Sequence, residues 1–489
     1  MEEMRKELMA LQQQCAALEP NPGTRDAWDA AILEYAHRFI DGLPEGKAYD
    51  TGLSKGDKLL ERPVPEDPQP VEEVLDFYRR SVDEPGLNPA SGGHLGYIPG
   101  GGIYAAALGD YIAAVGNRYA GIYYGSPGAV QMEHALIRWM ADLFSFGEQA
   151  GGTLCSGGSI ANLVAVCAAR DQHDLRPSQY EKAVIYLTDQ VHHCIDKALR
   201  IAGMEYACVR RIPMDALDQM RVDLLEQQVQ KDKEDGWIPW LVVASAGTTD
   251  TGAIDPLEAI GDVCRRAGMW FHVDAAYGGF FVLTEEGRQK LRGLEMADSL
   301  VIDPHKGLFL PYGLGAVLVK DQRHLLRTNY YLANYMQDAY RQEMPSSPAD
   351  LSPELTRHFR ALRLWLPLQL MGLRPFRAAL EEKLKLAQYV AQHLSNLPGI
   401  ELRNPPRLSV VCFRLVAGDD ALSDQQNLAL VDHIKQDGKV FLSSTVIGGR
   451  VYVRMAILSF RTHLDTVDYA LDQIRRFLSG AVNESVNSK

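Results

Sequence analysis

Cysteine is scarce in this chain of 489 residues: Cys15, Cys155, Cys167, Cys194, Cys208, Cys264 and Cys412 are the seven, and no C-x-x-C occurs. An odd, widely spaced set argues against a disulfide framework or a structural zinc site. Buried free thiols in a reducing compartment are the simpler reading. Long apolar runs are missing too. No segment approaches the roughly 18 uncharged apolar residues of a membrane span. The most apolar region, 103–124, is broken by Asp110, Asn117 and Arg118. Residues 1–18 mix charged and amide side chains with apolar ones and have no uninterrupted apolar core, so they do not read as a secretory signal. The expected location is the cytoplasm, away from a membrane. A basic stripe is also absent. Against 63 Asp and Glu there are 50 Lys and Arg, a net charge of −13, and a nucleic acid is not an expected partner. No internal repeat is visible.

What remains is an ordinary globular composition, 46% hydrophobic and 23% charged, with ample material for a large core. Its length suggests about three domains, or one large core with appendages. Residues 1–42 read as helical, with a break at Pro20-Asn-Pro-Gly23. Four prolines within 61–70 make an extended connector, a short helix follows over 71–81, and 91–102 is glycine-rich. This stretch, 1–103, has few strand signals and reads as an N-terminal arm or layer. From about 150, short apolar runs alternate with helical stretches. Strands are expected over 183–187, 240–245, 270–273, 299–302 and 316–320, and helices over 163–170, 195–202 and 256–267. Near-continuous apolar strands are buried on both faces, which implies a mostly parallel sheet in an α/β domain spanning 104–372. Residues 373–489 read as a smaller α+β domain, with helices over 384–394 and 464–479 and strands over 409–415, 439–442 and 451–456.

Four segments follow strands of the middle domain, where open α/β sheets bind ligands. Gly157, Gly158 and Ser159 stand just before a helix. They suit a phosphate at a helix N-terminus, although taken alone a glycine turn with a serine cap is the simpler reading. His192 lies in a strand-to-helix loop, where it can stack on a flat ligand, act as an acid or base, or cap a turn. Asp274 directly follows four apolar or aromatic residues, Trp270-Phe-His-Val273, and a carboxylate there is costly without a cationic partner. Lys306 follows another apolar strand and Pro304; desolvation in such a pocket would lower its pKa and let it form a Schiff base. Pyridoxal 5'-phosphate requires such a set: a lysine, an acid for the pyridinium nitrogen and a phosphate cradle.

The combination resembles the group II pyridoxal-phosphate-dependent amino acid decarboxylases, the family of aromatic-L-amino-acid decarboxylase and glutamate decarboxylase. The likeness is carried by Gly157-Gly-Ser-Ile-Ala-Asn162, Asp189-Gln-Val-His192, Gly247-Thr-Thr249, His272-Val-Asp-Ala-Ala-Tyr277 and Asp303-Pro-His-Lys306. Arg357-His-Phe-Arg-Ala-Leu-Arg-Leu-Trp365 and Val453-Arg-Met-Ala456 extend it over about 90–480. It implies the aspartate-aminotransferase-type fold, fold type I: a mostly parallel central sheet, an N-terminal helical layer and a small C-terminal α+β domain. The resemblance assigns Lys306 as the Schiff-base lysine, Asp274 to the pyridinium nitrogen and His192 to the ring face. Ala276 would lie under the ring, Thr249 against the cofactor, and Gly158, Ser159 and His305 at the phosphate. Tyr97, Ile98 and Pro99 would line the substrate pocket. The family forms homodimers with active sites at the interface, which suits an N-terminal layer that cannot fold alone.

The reaction implied is decarboxylation of an L-amino acid, aromatic or otherwise apolar, to an amine and CO₂. A loop tyrosine reprotonates the product in the family; within about 329–352 that is Tyr340, with Tyr335 in reserve. Two departures stand out: Gly307 where many members have Trp, and His94-Leu95 where they have His-Pro. Both read as substrate-side changes. The alternatives are an acidic-amino-acid decarboxylase, a decarboxylation-dependent aldehyde synthase, and a non-catalytic assembly protein on the same fold. No metal is expected.

Overall fold

The computed structural model describes residues 1–331 and 344–487. Its largest element is a seven-stranded sheet: β1 (Gly151–Cys155), β2 (Ala183–Leu187), β3 (Cys208–Arg211), β4 (Ile238–Ser245), β5 (Trp270–Asp274), β6 (Ser299–Ile302) and β7 (Gly315–Val319). Their order across the sheet is β1-β7-β6-β5-β4-β2-β3. Neighbours from β6 to β3 pair in parallel, whereas β7 runs antiparallel to both β1 and β6. β1, β2 and β6 are buried throughout. The helices Gly158–Gln172, Cys194–Ile201 and Leu257–Ala267 cover the faces with apolar stripes. The fold is therefore the mostly parallel α/β arrangement expected. Two strands are additional, β1 and β3. The paired glycines of β1 hide its strand character, and its pairing with β7 over five residue pairs supplies what propensity lacks.

C-terminal to this sheet lies a second one, antiparallel: β8 (Ile400–Leu402), β9 (Val410–Leu415), β10 (Ser443–Ile447) and β11 (Arg450–Ala456), ordered β8-β9-β11-β10. The helices Arg374–Ser395, Asp420–Asp437 and Leu464–Asn487 pack on it. Val390, Leu394, Phe413, Leu430, Ile434, Val453, Leu471 and Ile474 form their shared core. The strand expected over 439–442 is not one. Only Phe441 there bridges, to His94, and the strand runs Ser443–Ile447, where buried and exposed positions alternate.

Two N-terminal helices, Glu2–Cys15 and Pro22–Asp41, flank the expected break, and Asn21 caps the second by accepting from Thr24 N–H at 3.1 Å. Neither helix buries a residue in the single chain. The glycine-rich 91–102 stretch joins the small domain, with Leu95 N–H donating to the Phe441 carbonyl at 2.9 Å. Leu95 belongs to that domain's apolar core. The departure at Leu95 is thus a packing and hydrogen-bonding change, since a proline there has no N–H to give.

Candidate active site

The C-terminal ends of β1, β2, β4, β5 and β6 open on one edge of the sheet. A cavity of about 340 Å³ lies there. Gly158, Ser159, His192, Thr249, Asp274, Ala276, His305 and Lys306 all line it. Residues scattered over 149 positions thus meet because parallel strands end together. Tyr97, Ile98 and Pro99 are not on this wall. Their segment continues into Gly100, which packs on the His305 carbonyl, and the Tyr97 carbonyl lies 3.4 Å from Arg454 Nη2. Tyr97 holds a left-handed backbone, φ 48°, which is costly for a tyrosine. Tyr340 and Tyr335 lie outside the described residues.

Lys306 sits on the short turn Pro304–Gly307 after β6, with Nζ 3.0 Å from Asp303 Oδ2. Asp303 is 1% exposed and Lys306 24% in the side chain, so the pair is largely dry. Burial by itself would lower the Lys306 pKa, as the sequence suggested. The Asp303 and Asp274 carboxylates outweigh it and hold the ammonium above its ordinary range. The expectation of a lowered lysine is therefore reversed in the free protein, because two acids rather than apolar walls are its closest electrostatic neighbours. In the Asp303-Pro-His-Lys306 motif the sequence gives Asp303 no role of its own. The signal was an acid three residues before a lysine at the start of a helical turn.

Asp274 ends β5. Its Oδ1 accepts from Ala276 N–H at 3.0 Å and its Oδ2 from Asn162 Nδ2 at 3.2 Å. A side chain at Gly158 would be crowded, because a Cβ would lie 3.0 Å from Asp303 Oδ2 and 3.4 Å from Ala276 Cβ. Gly158 and Ser159 open a helix of 15 residues on the cavity wall, and its first N–H groups have no intrahelical acceptor. His305 donates from Nδ1 to the Leu314 carbonyl at 2.6 Å, and burial lowers its pKa. His192 accepts from Cys194 N–H at Nδ1, 3.2 Å away, which leaves its proton on Nε2. Burial lowers the His192 pKa against the pull of Asp274, with His193 and Lys306 adding to the lowering, so the ring is neutral at pH 7. A neutral, fixed imidazole suits stacking better than proton shuttling. Asn162, Gln190, Cys194, Thr248 and Tyr312 also line the cavity, and no strand-end pattern in the sequence marks them.

Gly307 faces inward rather than toward the cavity. A Cβ there would lie 2.7 Å from Phe280 Cβ, and Phe280 stacks on Trp139 with centroids 6.5 Å apart. The departure read as a substrate-side change is a core exchange: Phe280 holds the space.

A family model described as "Pyridoxal-dependent decarboxylase conserved domain" matches residues 55–416. An aromatic-L-amino-acid decarboxylase of Bacillus atrophaeus is 33% identical over 427 residues, covering 86% of this chain and 88% of its own. A phenylacetaldehyde synthase of Arabidopsis thaliana is 32% identical over 416 residues, 82% of this chain and 84% of its own. Among solved structures, Oryza sativa TDC with PLP and tryptamine superposes with a TM-score of 0.88 at 25% identity, covering 95% of this chain and 99% of that one.

Proposed function

Because this chain belongs to the pyridoxal-dependent decarboxylase family, we propose that its amino-acid substrate is aromatic or otherwise apolar and that its products are the amine and CO₂. Its cofactor is pyridoxal phosphate, and its chemistry is amino-acid decarboxylation. The cavity fits that cofactor: an amine on Lys306, an acceptor at Asp274, and a helix N-terminus kept open by the missing side chain of Gly158. Bound pyridoxal phosphate supplies an electron sink for the pair left behind when CO₂ departs.

The chain's residues divide the remaining work. Lys306 would bind the cofactor's aldehyde carbon and yield it to the substrate amine. Asp274 would hold a proton at the ring nitrogen. His192 and Ala276 would flank the ring, with Thr249 against it. Gly158, Ser159 and His305 would take the phosphate. Tyr97, Ile98 and Pro99 would meet the substrate side chain from outside the wall of this cavity. Tyr340 would return a proton to the substrate carbon.

The observation that carries the substrate class is the charge of the wall. Among the described residues no arginine lines the cavity, and its one lysine is Lys306. An acidic side chain would be left there without a cation of its own, at a cost in a confined site. The likeness to phenylacetaldehyde synthase supports a second reading, in which the same substrates give an aldehyde. The test is CO₂ release from the twenty amino acids, with amine, aldehyde and peroxide measured together. Release from aromatic or apolar substrates is expected. Release from glutamate or aspartate alone would overturn the substrate class, and no release from any would leave the assembly reading.

A homodimer with sites at the interface belongs to this proposal. Leu8, Met9, Leu11, Ile32, Ile112 and Val115 are exposed in the single chain, a load of apolar surface suited to a second copy. Cytoplasmic location is proposed on the seven free thiols. No helix among the described residues is long and apolar enough to cross a membrane.

A further inference from the structure

Strand alternation puts Trp270, His272 and Asp274 on one face of β5. His272 stands opposite Ser299 of β6, and the helix Gly158–Gln172 lays Asn162 over the same face. Four hydrogen bonds join these side chains. Trp270 Nε1 lies 2.8 Å from Ser299 Oγ, and Ser299 Oγ lies 2.7 Å from His272 Nδ1. His272 Nε2 lies 2.7 Å from Asn162 Oδ1, and Asn162 Nδ2 lies 3.2 Å from Asp274 Oδ2. Trp270, Ser299, His272 and Asn162 are all buried.

Both ends fix the direction of the chain. An indole N–H only donates, and a carboxylate only accepts. Asn162 must therefore turn its amide N–H to Asp274 and its carbonyl to His272. His272 must then carry its proton on Nε2 and accept at Nδ1 from the Ser299 hydroxyl, whose oxygen takes the Trp270 N–H. The second Asn162 N–H goes to Cys194 Sγ at 3.3 Å, so the amide has no freedom left to flip. Burial pushes the His272 pKa down to about 4, so the relay is neutral at working pH. It aims the Asp274 carboxylate without cancelling its charge, and each bond polarises the next toward it.

We propose that Asn162 and His272 are positioning residues that hold Asp274 as a fixed acceptor for a protonated ring nitrogen, through a one-way chain anchored at Trp270 and Ser299. This rests on the assignment of Asp274 to the cofactor ring, and the two are separable by experiment. The cofactor-free protein is titrated, by quenching of its fluorescence, with pyridoxal 5'-phosphate and with the 1-deaza analogue, in which carbon replaces the ring nitrogen. The ratio of the two affinities isolates the nitrogen's contribution, because the phosphate cradle serves both and partial misfolding weakens both. The natural protein should prefer the nitrogen form, and Asp274→Ala should lose that preference. His272→Phe and Asn162→Ala should each cut the ratio by about tenfold, the scale of one hydrogen bond to a charged group. His272→Gln, which offers an N–H and a carbonyl in the same order, should restore it to within about threefold. Ser299→Ala removes a single hydroxyl and decides the matter should the larger changes fail to fold; it should lower the ratio in the same direction. Equal ratios in the natural protein and Asp274→Ala would overturn the ring assignment itself. A preference lost in Asp274→Ala but kept in His272→Phe, Asn162→Ala and Ser299→Ala would overturn the relay and leave the assignment standing.

Discussion

Replacing Asp303 by Asn keeps the shape of the side chain and removes the charge 3.0 Å from Lys306 Nζ. At an effective dielectric constant near 20, two unit charges at that distance attract by about 5–6 kcal/mol. Desolvation takes back much of this, and breaking a buried pair costs about 3–5 kcal/mol. Lys306 keeps 24% of its side chain exposed, so water can relieve part of the loss and the low end, about 3 kcal/mol, is expected. The loss should appear as a lower urea midpoint for the cofactor-free protein at fixed concentration. The charge balance shifts as well. With Asp303 neutral, burial is opposed by Asp274 and, more weakly, by Cys194, and the Lys306 pKa falls. An amine-reactive reagent near pH 8 should therefore label Lys306 faster in Asp303→Asn, read by peptide mass spectrometry. The pH dependence has a definite sign. The natural lysine is raised above its ordinary 10.5, so its stabilisation is complete below that pH and fades as pH climbs through the raised value. The stability gap between natural and Asp303→Asn protein should be constant at neutral pH and close only in strong alkali. An unchanged midpoint together with unchanged labelling would mean that the pair is not formed in solution.

Asp274→Asn should lower the kcat for CO₂ release by about 100-fold or more, since a neutral amide gives a poorer partner to a protonated ring nitrogen; a variant with most of its kcat would make Asp274 a structural acid. Gly307→Ala should cost about 1–3 kcal/mol in denaturation, because its Cβ meets the backbone end of Phe280 and that atom cannot swing away. A neutral result would show that Phe280 yields. Tyr340→Phe should slow amine formation and raise aldehyde and peroxide per CO₂ released, with Tyr335→Phe unchanged. The reverse pattern moves the role to Tyr335, and no change in either points to another donor.

The α/β class was legible from its apolar strands, and Asp274 and Lys306 from their places after two of them. Asp274 after Trp270–Val273 and Lys306 after β6 announce themselves by a charge at the end of a buried run. Partners set by tertiary contact were not legible. Asn162 looks like any polar residue early in a helix, and the residue it binds is 110 positions away. Asp303 sat in plain view, but its effect on Lys306 is a contest between burial and charge that only a distance settles. Gly307 and Leu95 were misread for the same reason. A sequence displays the missing ring or proline, not the Phe280 ring that fills the gap or the Phe441 carbonyl that uses the added N–H. β1 escaped because glycine masks a strand whose pairing is entirely tertiary.

The most direct measurement of the central claim is borohydride treatment of the purified protein with pyridoxal phosphate and no substrate, followed by peptide mass spectrometry. Reduction should abolish the visible absorption of the bound cofactor and fix the cofactor mass on Lys306 and on no other lysine, and CO₂ release should vanish with it. Label on another lysine, or no label with CO₂ release intact, would contradict the assignment of this cavity as the cofactor's site.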